Sequence, residues 1–196
     1  NIIAFDVEKE RLEAVEDQFK IPTASTMKDA WASNLDVALI TVPTNLHVPL
    51  ALEAVKHGCH LFVEKPLGDG LDGVDELLSS LHNSGLKSLV GCNIRFHHGP
   101  ATIKELLDAG SIGRVISAHM DAGQYLPDWH PQEDYRRLYA SNSAMGGGVI
   151  LDGIHEIDYA RWLFGDVSQV YCQGGKLSSL EIDTEDSVNI IMTMAA

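Results

Sequence analysis

The 196-residue chain has few cysteines, no long apolar run and no excess of positive charge, and each shortage excludes a class of protein. Its three cysteines lie far apart without a CxxC spacing, which argues against a zinc site and predicts reduced thiols in a cytoplasmic protein. No apolar run approaches the roughly 18 residues of a membrane span, so we expect no membrane partner. A formal net charge of −14 repels polyphosphate, so we expect no nucleic-acid partner.

The chain also lacks a glycine-rich phosphate loop before its first apolar segment, Ile2–Phe5. That segment opens the chain without an initiator methionine, and the last apolar segment stops at Ala196 in mid-strand. We therefore expect a fragment without the N-terminal glycine loop and the C-terminal part. One GxGxxG match exists at Gly68–Gly73, but Asp69 and Asp72 would place negative charge beside a pyrophosphate. A surface turn that opens a helix explains this match better.

The composition is that of a globular protein, because 45% of the residues are hydrophobic and 21% are charged. The first half alternates short β-branched or aromatic strands with helices. This alternation predicts a parallel sheet covered by helices on both faces. The predicted strands are Ile2–Phe5, Val37–Val42, His60–Val63 and Ser88–Cys92, and the predicted helices are Glu8–Phe19, Met27–Ala32, Leu46–His57 and Leu71–Asn83.

The pattern changes after Gly110. Extended segments there follow one another with few helices between them, which predicts a mostly antiparallel sheet and hence a second domain. The predicted elements are a helix at Ala101–Ala109, a long strand at Arg114–Gln124, a loop at Leu126–Pro131, a helix at about Val149–Phe164 and extended segments at Val167–Gly174 and Ser187–Met194.

Several polar residues stand where the predicted parallel strands end, which is where open α/β sheets bind ligands. Asp6 follows the first strand, at the place where an acid accepts hydrogen bonds from the adenosine ribose hydroxyls and favours NAD over NADP. An N-cap for the following helix is the alternative role of Asp6. The later strands are followed by further candidates: Thr41, Pro43, Asn45 and His47, then Glu64, Lys65 and Pro66, then Asn93 and Arg95.

The order of three segments, Thr41–His47, Gly58–Pro66 and Gly91–Phe96, resembles that of the Gfo/Idh/MocA oxidoreductases (glucose–fructose oxidoreductase, inositol dehydrogenase and their relatives). The resemblance extends over essentially the whole chain. It implies an α/β protein with a Rossmann-like parallel sheet whose first strand is missing, followed by part of an α+β, mostly antiparallel substrate domain. The implied domains are an incomplete NAD(P)-binding domain at 1–110 and an incomplete substrate domain at 111–196.

The same resemblance implies a function. The expected reaction is hydride transfer between NAD and a secondary alcohol or ketone of a sugar, cyclitol or sugar derivative, with NADP less favoured than NAD. We expect a homo-oligomer of the full-length protein, formed through the substrate-domain sheet. The implied cofactor-binding residues are Asp6, Thr41, Pro43, Asn45, His47, Glu64, Lys65 and Asn93.

Titratable residues recur at helical spacing on one face of the segment after a glycine run: Asp152, His155, Glu156 and Tyr159. The glycine run, Gly146–Gly148, allows another backbone or a ligand to approach closely. The resemblance implies that Lys65, Asp152 and His155 form the reaction centre. Lys65 would stabilise a developing alkoxide, His155 would act as general base, and Asp152 would orient the reactants. An ordinary loop lysine and a solvated helix face are the alternatives.

Five residues are candidates for substrate contact: Arg95, Trp129, His130, Tyr135 and Tyr159. Trp129 suits stacking on the apolar face of a sugar ring, whereas loop packing or a solvated polar group is the alternative for each of the five. Asp158 lies one turn beyond His155, and we interpret it as the partner of Arg161 in a structural salt bridge.

Two other functions are alternatives to hydride transfer. A metal-dependent hydrolase could draw ligands from scattered histidines and aspartates, but no tight motif such as HExxH is present, so we expect no metal. The candidate ligands are His97, His98, His119, Asp121, His155 and Asp158. A dinucleotide-binding regulator without turnover is the second alternative. Retention of both Lys65 and His155 favours the enzyme, because a pure binder needs no acid–base pair.

Overall fold

A computed structural model of the chain describes residues 2–195, which contain a three-stranded parallel sheet and a separate two-stranded antiparallel sheet. The parallel sheet consists of β1 (Val37–Ile40), β2 (His60–Val63) and β3 (Ser88–Val90), in that order. The predicted Rossmann-like arrangement is confirmed. Strands β1 and β3 end two residues earlier than predicted, because the polar turns that carry the candidate residues begin there.

The helices of the first half are α1 (Lys9–Phe19), α2 (Met27–Trp31), α3 (His47–Lys56) and α4 (Val74–Ser84). Helix α2 begins where the Thr26 hydroxyl accepts the Asp29 backbone N–H at 3.1 Å, a standard N-cap. Helix α4 begins three residues later than predicted, because Gly73 precedes it with a φ of 76°.

The core of this half lies between the parallel sheet and the helices α3 and α4. Alternate strand residues are buried there, which is the two-residue period of a strand. Contrary to the prediction, helices cover only one face of the sheet within residues 2–195, and Leu39 on the other face is 70% exposed. The buried core consists of Ala38, Ile40, Ala51, Ala54, Cys59, Leu61, Val63, Leu77 and Leu81.

The predicted strand Ile2–Phe5 is wrong. Ala4 forms a single parallel bridge with Thr23, and its backbone bonds to Pro22 and Ala24, but no ladder extends from it. Strand β1 pairs with β2 alone, so the Ile2–Phe5 segment finds no neighbouring strand among the described residues.

The second half contains α5 (His98–Asp108), α6 (Leu126–Trp129), α7 (Val149–Asp152) and α8 (Ile154–Phe164), with β4 (Val167–Gly175) paired antiparallel to β5 (Ser187–Met194). The predicted antiparallel pairing is confirmed. No helix among residues 2–195 has both the length and the hydropathy of a transmembrane segment.

Three predictions for this half are wrong. The segment Arg114–Gln124 forms no strand, because it has no pairing partner within the described residues, and Ile116 is 95% exposed. The predicted helix at 149–164 is interrupted at Gly153, which separates α7 from α8. A short helix, α6, also replaces most of the predicted loop at Leu126–Pro131.

Candidate active site

Lys65 lies just beyond β2 and joins the two halves of the chain. Its Nζ donates to the main-chain oxygen of Asp152 at 2.8 Å and lies 3.3 Å from Asp152 Oδ1. Both side chains are largely buried, with 17% of Lys65 and 22% of Asp152 exposed. The ammonium therefore has a fixed carboxylate partner and one further N–H that this pair does not use.

The glycine run explains how the segment carrying Asp152 comes so close to the sheet. A Cβ added at Gly146 would lie 2.7 Å from the Thr44 Cβ, and one at Gly147 would lie 2.2 Å from the Tyr139 carbonyl oxygen. A side chain at Gly146 would push the segment before α7 away from the turn after β1, and one at Gly147 would push it away from the turn at Tyr139 and Ala140. The prediction allowed a backbone or a ligand to approach the glycine run closely. In the structure, the backbone and the turn side chains of this same chain do so.

Glu185, in the connection between β4 and β5, holds the start of α7. Its carboxylate accepts the Ile150 backbone N–H at 3.0 Å, and its main-chain oxygen accepts the Val149 N–H at 3.1 Å. Both bonds satisfy N–H groups that a helix start leaves unpaired. Glu185 therefore orients the short helix that ends in Asp152, a role that nothing in its sequence context indicated.

His155 lies in the first turn of α8, and its ring is partly buried. Its Nδ1 is buried and makes no hydrogen bond to any of residues 2–195. Burial, followed by the positive charge of Lys65, lowers the pKa of His155 below its ordinary value of 6.5, although Glu156, Asp158 and Asp152 oppose the shift. The ring is therefore neutral near pH 7, the state in which an imidazole can accept a proton.

Asn45 presents a second buried polar atom without a partner. Its Oδ1 makes no hydrogen bond within the described residues, and it lies in the 3₁₀ turn Thr44–Leu46 after β1. Buried acceptors of this kind usually have a donor, so an unpaired one at the end of a parallel strand fits a ligand that brings hydroxyl or amide groups. A nicotinamide nucleotide carries both groups.

His47 is buried with only 1% of its surface exposed, and both ring nitrogens are occupied. Nδ1 lies 2.7 Å from the Pro66 carbonyl oxygen and Nε2 lies 2.8 Å from that of Val42. These two contacts tie the end of β1 to the segment that carries Lys65. A cofactor contact through His47 stays a prediction.

The other predicted cofactor residues lie where the strands end, and their cofactor contacts stay predictions. Glu64 follows β2 and accepts the Lys65 backbone N–H at 3.2 Å. Asn93 begins the 3₁₀ turn Asn93–Phe96 beyond β3, whereas Thr41 and Pro43 follow β1. Asp6 accepts the Glu8 N–H at 2.8 Å. Its second oxygen lies 3.7 Å from Arg11 NH1.

Models of known protein families match both halves of this chain. Residues 2–92 match the model described as "Oxidoreductase family, NAD-binding Rossmann fold", and residues 101–196 match the "GFO/IDH/MocA C-terminal domain". Together the two matches cover nearly all of the chain, in the order found in one family.

The chain belongs to the GFO/IDH/MocA family.

Individual relatives agree with this assignment. The chain is 29% identical over 190 residues to the myo-inositol 2-dehydrogenase of Thermotoga maritima, covering 94% of this chain and 53% of that protein. It is 28% identical over 161 residues to the scyllo-inositol 2-dehydrogenase (NAD(+)) of Bacillus subtilis, covering 81% and 44%. A solved myo-inositol 2-dehydrogenase of Lactobacillus plantarum shares the fold, with a TM-score of 0.86 at 24% identity, over 99% of this chain and 58% of that one. The chain spans about half the length of the curated relatives it matches.

In this GFO/IDH/MocA chain Arg95 forms a two-bond ion pair with Asp158. Arg95 Nε donates to Asp158 Oδ2 at 2.7 Å, and its NH2 donates to Oδ1. Burial alone would raise the pKa of Asp158, but the hydrogen bonds and charge of Arg95 outweigh it and lower that pKa. The predicted Asp158–Arg161 bridge is wrong, because Arg161 pairs with Asp166 at 2.7 Å.

The Arg95 guanidinium lies 5.9 Å from the ring centroid of Trp162. It lines a cavity of about 330 Å³ with five residues of α8: Ile154, Ile157, Asp158, Arg161 and Trp162. The Asp158 carboxylate already occupies two N–H groups of Arg95. A substrate contact through Arg95 would therefore use its remaining N–H groups. That contact stays a prediction.

The other substrate candidates lie outside the Lys65–Asp152 contact. Trp129 stacks on His130, with ring centroids 5.2 Å apart, and the Tyr135 hydroxyl accepts the Glu181 N–H at 3.3 Å. Tyr159 lies on α8, where burial and then Glu156 raise the pKa of its phenol. Within the described residues none of the four forms a hydrogen bond with Lys65, Asp152 or His155.

Tyr139, like Glu185, is a residue of the site that the sequence did not reveal. Tyr139 donates its hydroxyl to Asp152 Oδ1 at 2.6 Å. It lies in the 3₁₀ turn Tyr139–Ser141, outside any periodic pattern, so only its position upstream of the glycine run could have drawn attention to it. No group of three histidine, cysteine, aspartate or glutamate side chains within residues 2–195 is arranged to hold a metal ion.

Replacing Gly147 with alanine is expected to lower the free energy of unfolding by about 1–3 kcal/mol and to reduce catalytic activity. The added Cβ would lie 2.2 Å from the Tyr139 carbonyl and 2.7 Å from that of Ala140, both main-chain atoms that move only with the turn. Denaturant unfolding measures the effect. Gly70→Ala is the matched control, because nothing lies within 4 Å of its added Cβ. Equal stability of the two variants would contradict the close packing.

Proposed function

We propose that the full-length protein is an NAD-dependent oxidoreductase that acts on a secondary alcohol or ketone of a sugar, cyclitol or sugar derivative. The observation that carries the proposal is the ammonium of Lys65, fixed on Asp152 and close enough to His155 to lower the pKa of its imidazole. A cation and a neutral base at one place are what the oxidation of an alcohol needs.

Each residue of this group has a distinct task in the proposed reaction. His155 accepts the proton of the substrate hydroxyl, since its ring is neutral at pH 7. Lys65 donates its unused N–H to the same oxygen and stabilises the negative charge that develops there. Asp152 holds the ammonium through its main-chain oxygen and Oδ1. Bound NAD supplies the acceptor for the hydride.

The residues at the strand ends support NAD as the cofactor. The unpaired Oδ1 of Asn45 is suited to a hydroxyl or amide donor of the nucleotide. Asp6 carries negative charge that suits ribose hydroxyls and repels a 2′-phosphate, so NAD is favoured over NADP. The family match of residues 2–92 is to an NAD-binding fold. Thr41, Pro43, Glu64 and Asn93 complete the proposed surface at the strand ends.

Four further features of the proposal concern the whole protein. The separate family matches of residues 2–92 and 101–196 support a division of the chain into a nucleotide domain and a substrate domain. Three free cysteines support a cytoplasmic location. Exposed apolar side chains on β4 and β5 support a homo-oligomer that forms through this sheet, among them Val170, Tyr171 and Ile191. The named functions of the two inositol dehydrogenases support a cyclitol or a related polyol as substrate.

Turnover assays of the full-length protein test the proposal. The absorbance of the reduced nicotinamide is followed with NAD and a panel of inositols, neutral sugars and acidic sugars, and in reverse with the oxo-sugars. We expect one class of polyol to be oxidised. Tight NAD(H) binding in a calorimeter without turnover of any compound, in either direction, would instead favour a dinucleotide-binding regulator.

A further inference from the structure

Asp152 receives hydrogen bonds from two donors on the same carboxylate oxygen. The Tyr139 hydroxyl lies 2.6 Å from Oδ1, and the Lys65 ammonium lies 3.3 Å from that atom. Lys65 comes from the nucleotide half, whereas Tyr139 comes from the segment before the glycine run. The carboxylate of Asp152 therefore sits between a cation and a phenol that are far apart in sequence.

The backbone of the Tyr139 turn is held from two sides. The carbonyl of Ala140 accepts the Gly148 N–H at 3.0 Å and the Thr184 hydroxyl at 3.1 Å. Gly147 lies against the same turn and has no Cβ to push it away. The turn and the start of α7 are hydrogen-bonded to each other, so the phenol of Tyr139 is held close to Asp152.

The phenol remains a hydrogen-bond donor throughout the pH range of an enzyme assay. Burial, the hydrogen bond to Asp152, and the negative charges of Asp152 and Glu64 all raise the pKa of Tyr139. A neutral phenol can donate only one hydrogen bond, and Asp152 receives it. The Tyr139 hydroxyl therefore stays protonated and able to donate to Asp152 over this pH range.

We propose that Tyr139 is a positioning residue for the reaction that we assign to this site. By holding Oδ1 of Asp152, its hydroxyl limits how the carboxylate can turn toward Lys65. One N–H of the ammonium then stays directed at the reacting oxygen. Without the hydroxyl, the carboxylate is free to rotate and draw a further N–H of Lys65 to itself. The inference rests on the proposed function, because it assumes that Lys65 faces the substrate.

Tyr139→Phe in the full-length protein tests this role, since it removes the hydroxyl and keeps the ring. We expect kcat to fall about tenfold, the effect of one hydrogen bond to a charged group. The KM for NAD and the circular dichroism spectrum should not change, because the fold and the strand ends are untouched. The matched control is Tyr125→Phe, whose ring is 60% exposed, and it should retain the wild-type kcat.

A double-mutant cycle identifies the partner through which Tyr139 acts. In an Asp152→Asn background, Tyr139→Phe should lower kcat by no more than about twofold, because the two residues act as one unit. A wild-type kcat for Tyr139→Phe, or an equal loss in both backgrounds, would overturn the positioning role. Absence of turnover by the wild type itself would overturn the proposed function, and the positioning role with it.

Discussion

Replacing Lys65 with alanine is expected to lower kcat by about 10²- to 10³-fold, because it removes the only cation that the structure places on Asp152 among residues 2–195. The charge of Lys65 stabilises the negative charge that develops on the substrate oxygen as the hydride leaves. Its removal therefore raises the free energy of the transition state. NAD affinity should change little, since the other strand-end residues remain. Steady-state kinetics give kcat, and calorimetric titration gives the dissociation constant for NAD.

The matched control for this experiment is Lys56→Ala. Lys56 is the last residue of α3, its side chain is 67% exposed, and its ion pair with Glu53 at 3.9 Å is a surface contact of small energy. This variant should retain wild-type kinetics. Turnover close to that of the wild type in Lys65→Ala would show that the ammonium takes no part in the reaction.

Replacing His155 with glutamine is expected to lower kcat/KM by about 10²- to 10⁴-fold, the usual contribution of a positioned general base. Glutamine is polar and of similar length, but it cannot accept and release a proton near pH 7. The control is His82→Gln, an exposed residue in the last turn of α4. An unchanged kcat/KM in His155→Gln would assign the base to another group.

The pH dependence of the wild type provides an independent check on His155. Because burial and Lys65 lower the pKa of this imidazole, the neutral, active form predominates down to pH values below 6.5. The rate should therefore rise with pH through that lowered pKa and level off before neutrality. In His155→Gln this acid limb should disappear. In Lys65→Ala the residual rate should show the limb at higher pH, because the pKa of His155 rises when the cation is removed.

The sequence predicted those elements whose hydrophobic residues repeat regularly over a few neighbouring positions. Strands β1 and β2 alternate buried residues with more exposed ones, and a polar turn follows each of them. The segments Ile2–Phe5 and Arg114–Gln124 have a similar composition, but a strand needs a ladder with a neighbour. Among residues 2–195 the first segment has only the Ala4–Thr23 bridge, and the second pairs with no strand. Local sequence cannot reveal whether a partner is present.

Sequence motifs predicted one part of the candidate site. Lys65 and Asp152, named from two distant segments, lie in contact, and His155 lies within the influence of the Lys65 charge. Tyr139 and Glu185 were missed because they act through tertiary hydrogen bonds, one from Tyr139 and two to Glu185, which leave no periodic signal in the sequence. The contacts of His47 with two carbonyl oxygens could not be predicted, because they depend on how β1 and β2 pair.

The most direct test of the proposed reaction follows the hydrogen itself. The full-length protein is incubated with NAD and a polyol that carries deuterium on the oxidised carbon, and the nicotinamide is analysed by mass spectrometry. Direct hydride transfer at the Lys65–His155 site predicts one deuterium in the reduced nicotinamide, and labelled nicotinamide that forms about 10²- to 10³-fold more slowly with Lys65→Ala. Oxidised polyol with unlabelled reduced nicotinamide, or labelled nicotinamide formed equally well by Lys65→Ala, would contradict the assignment.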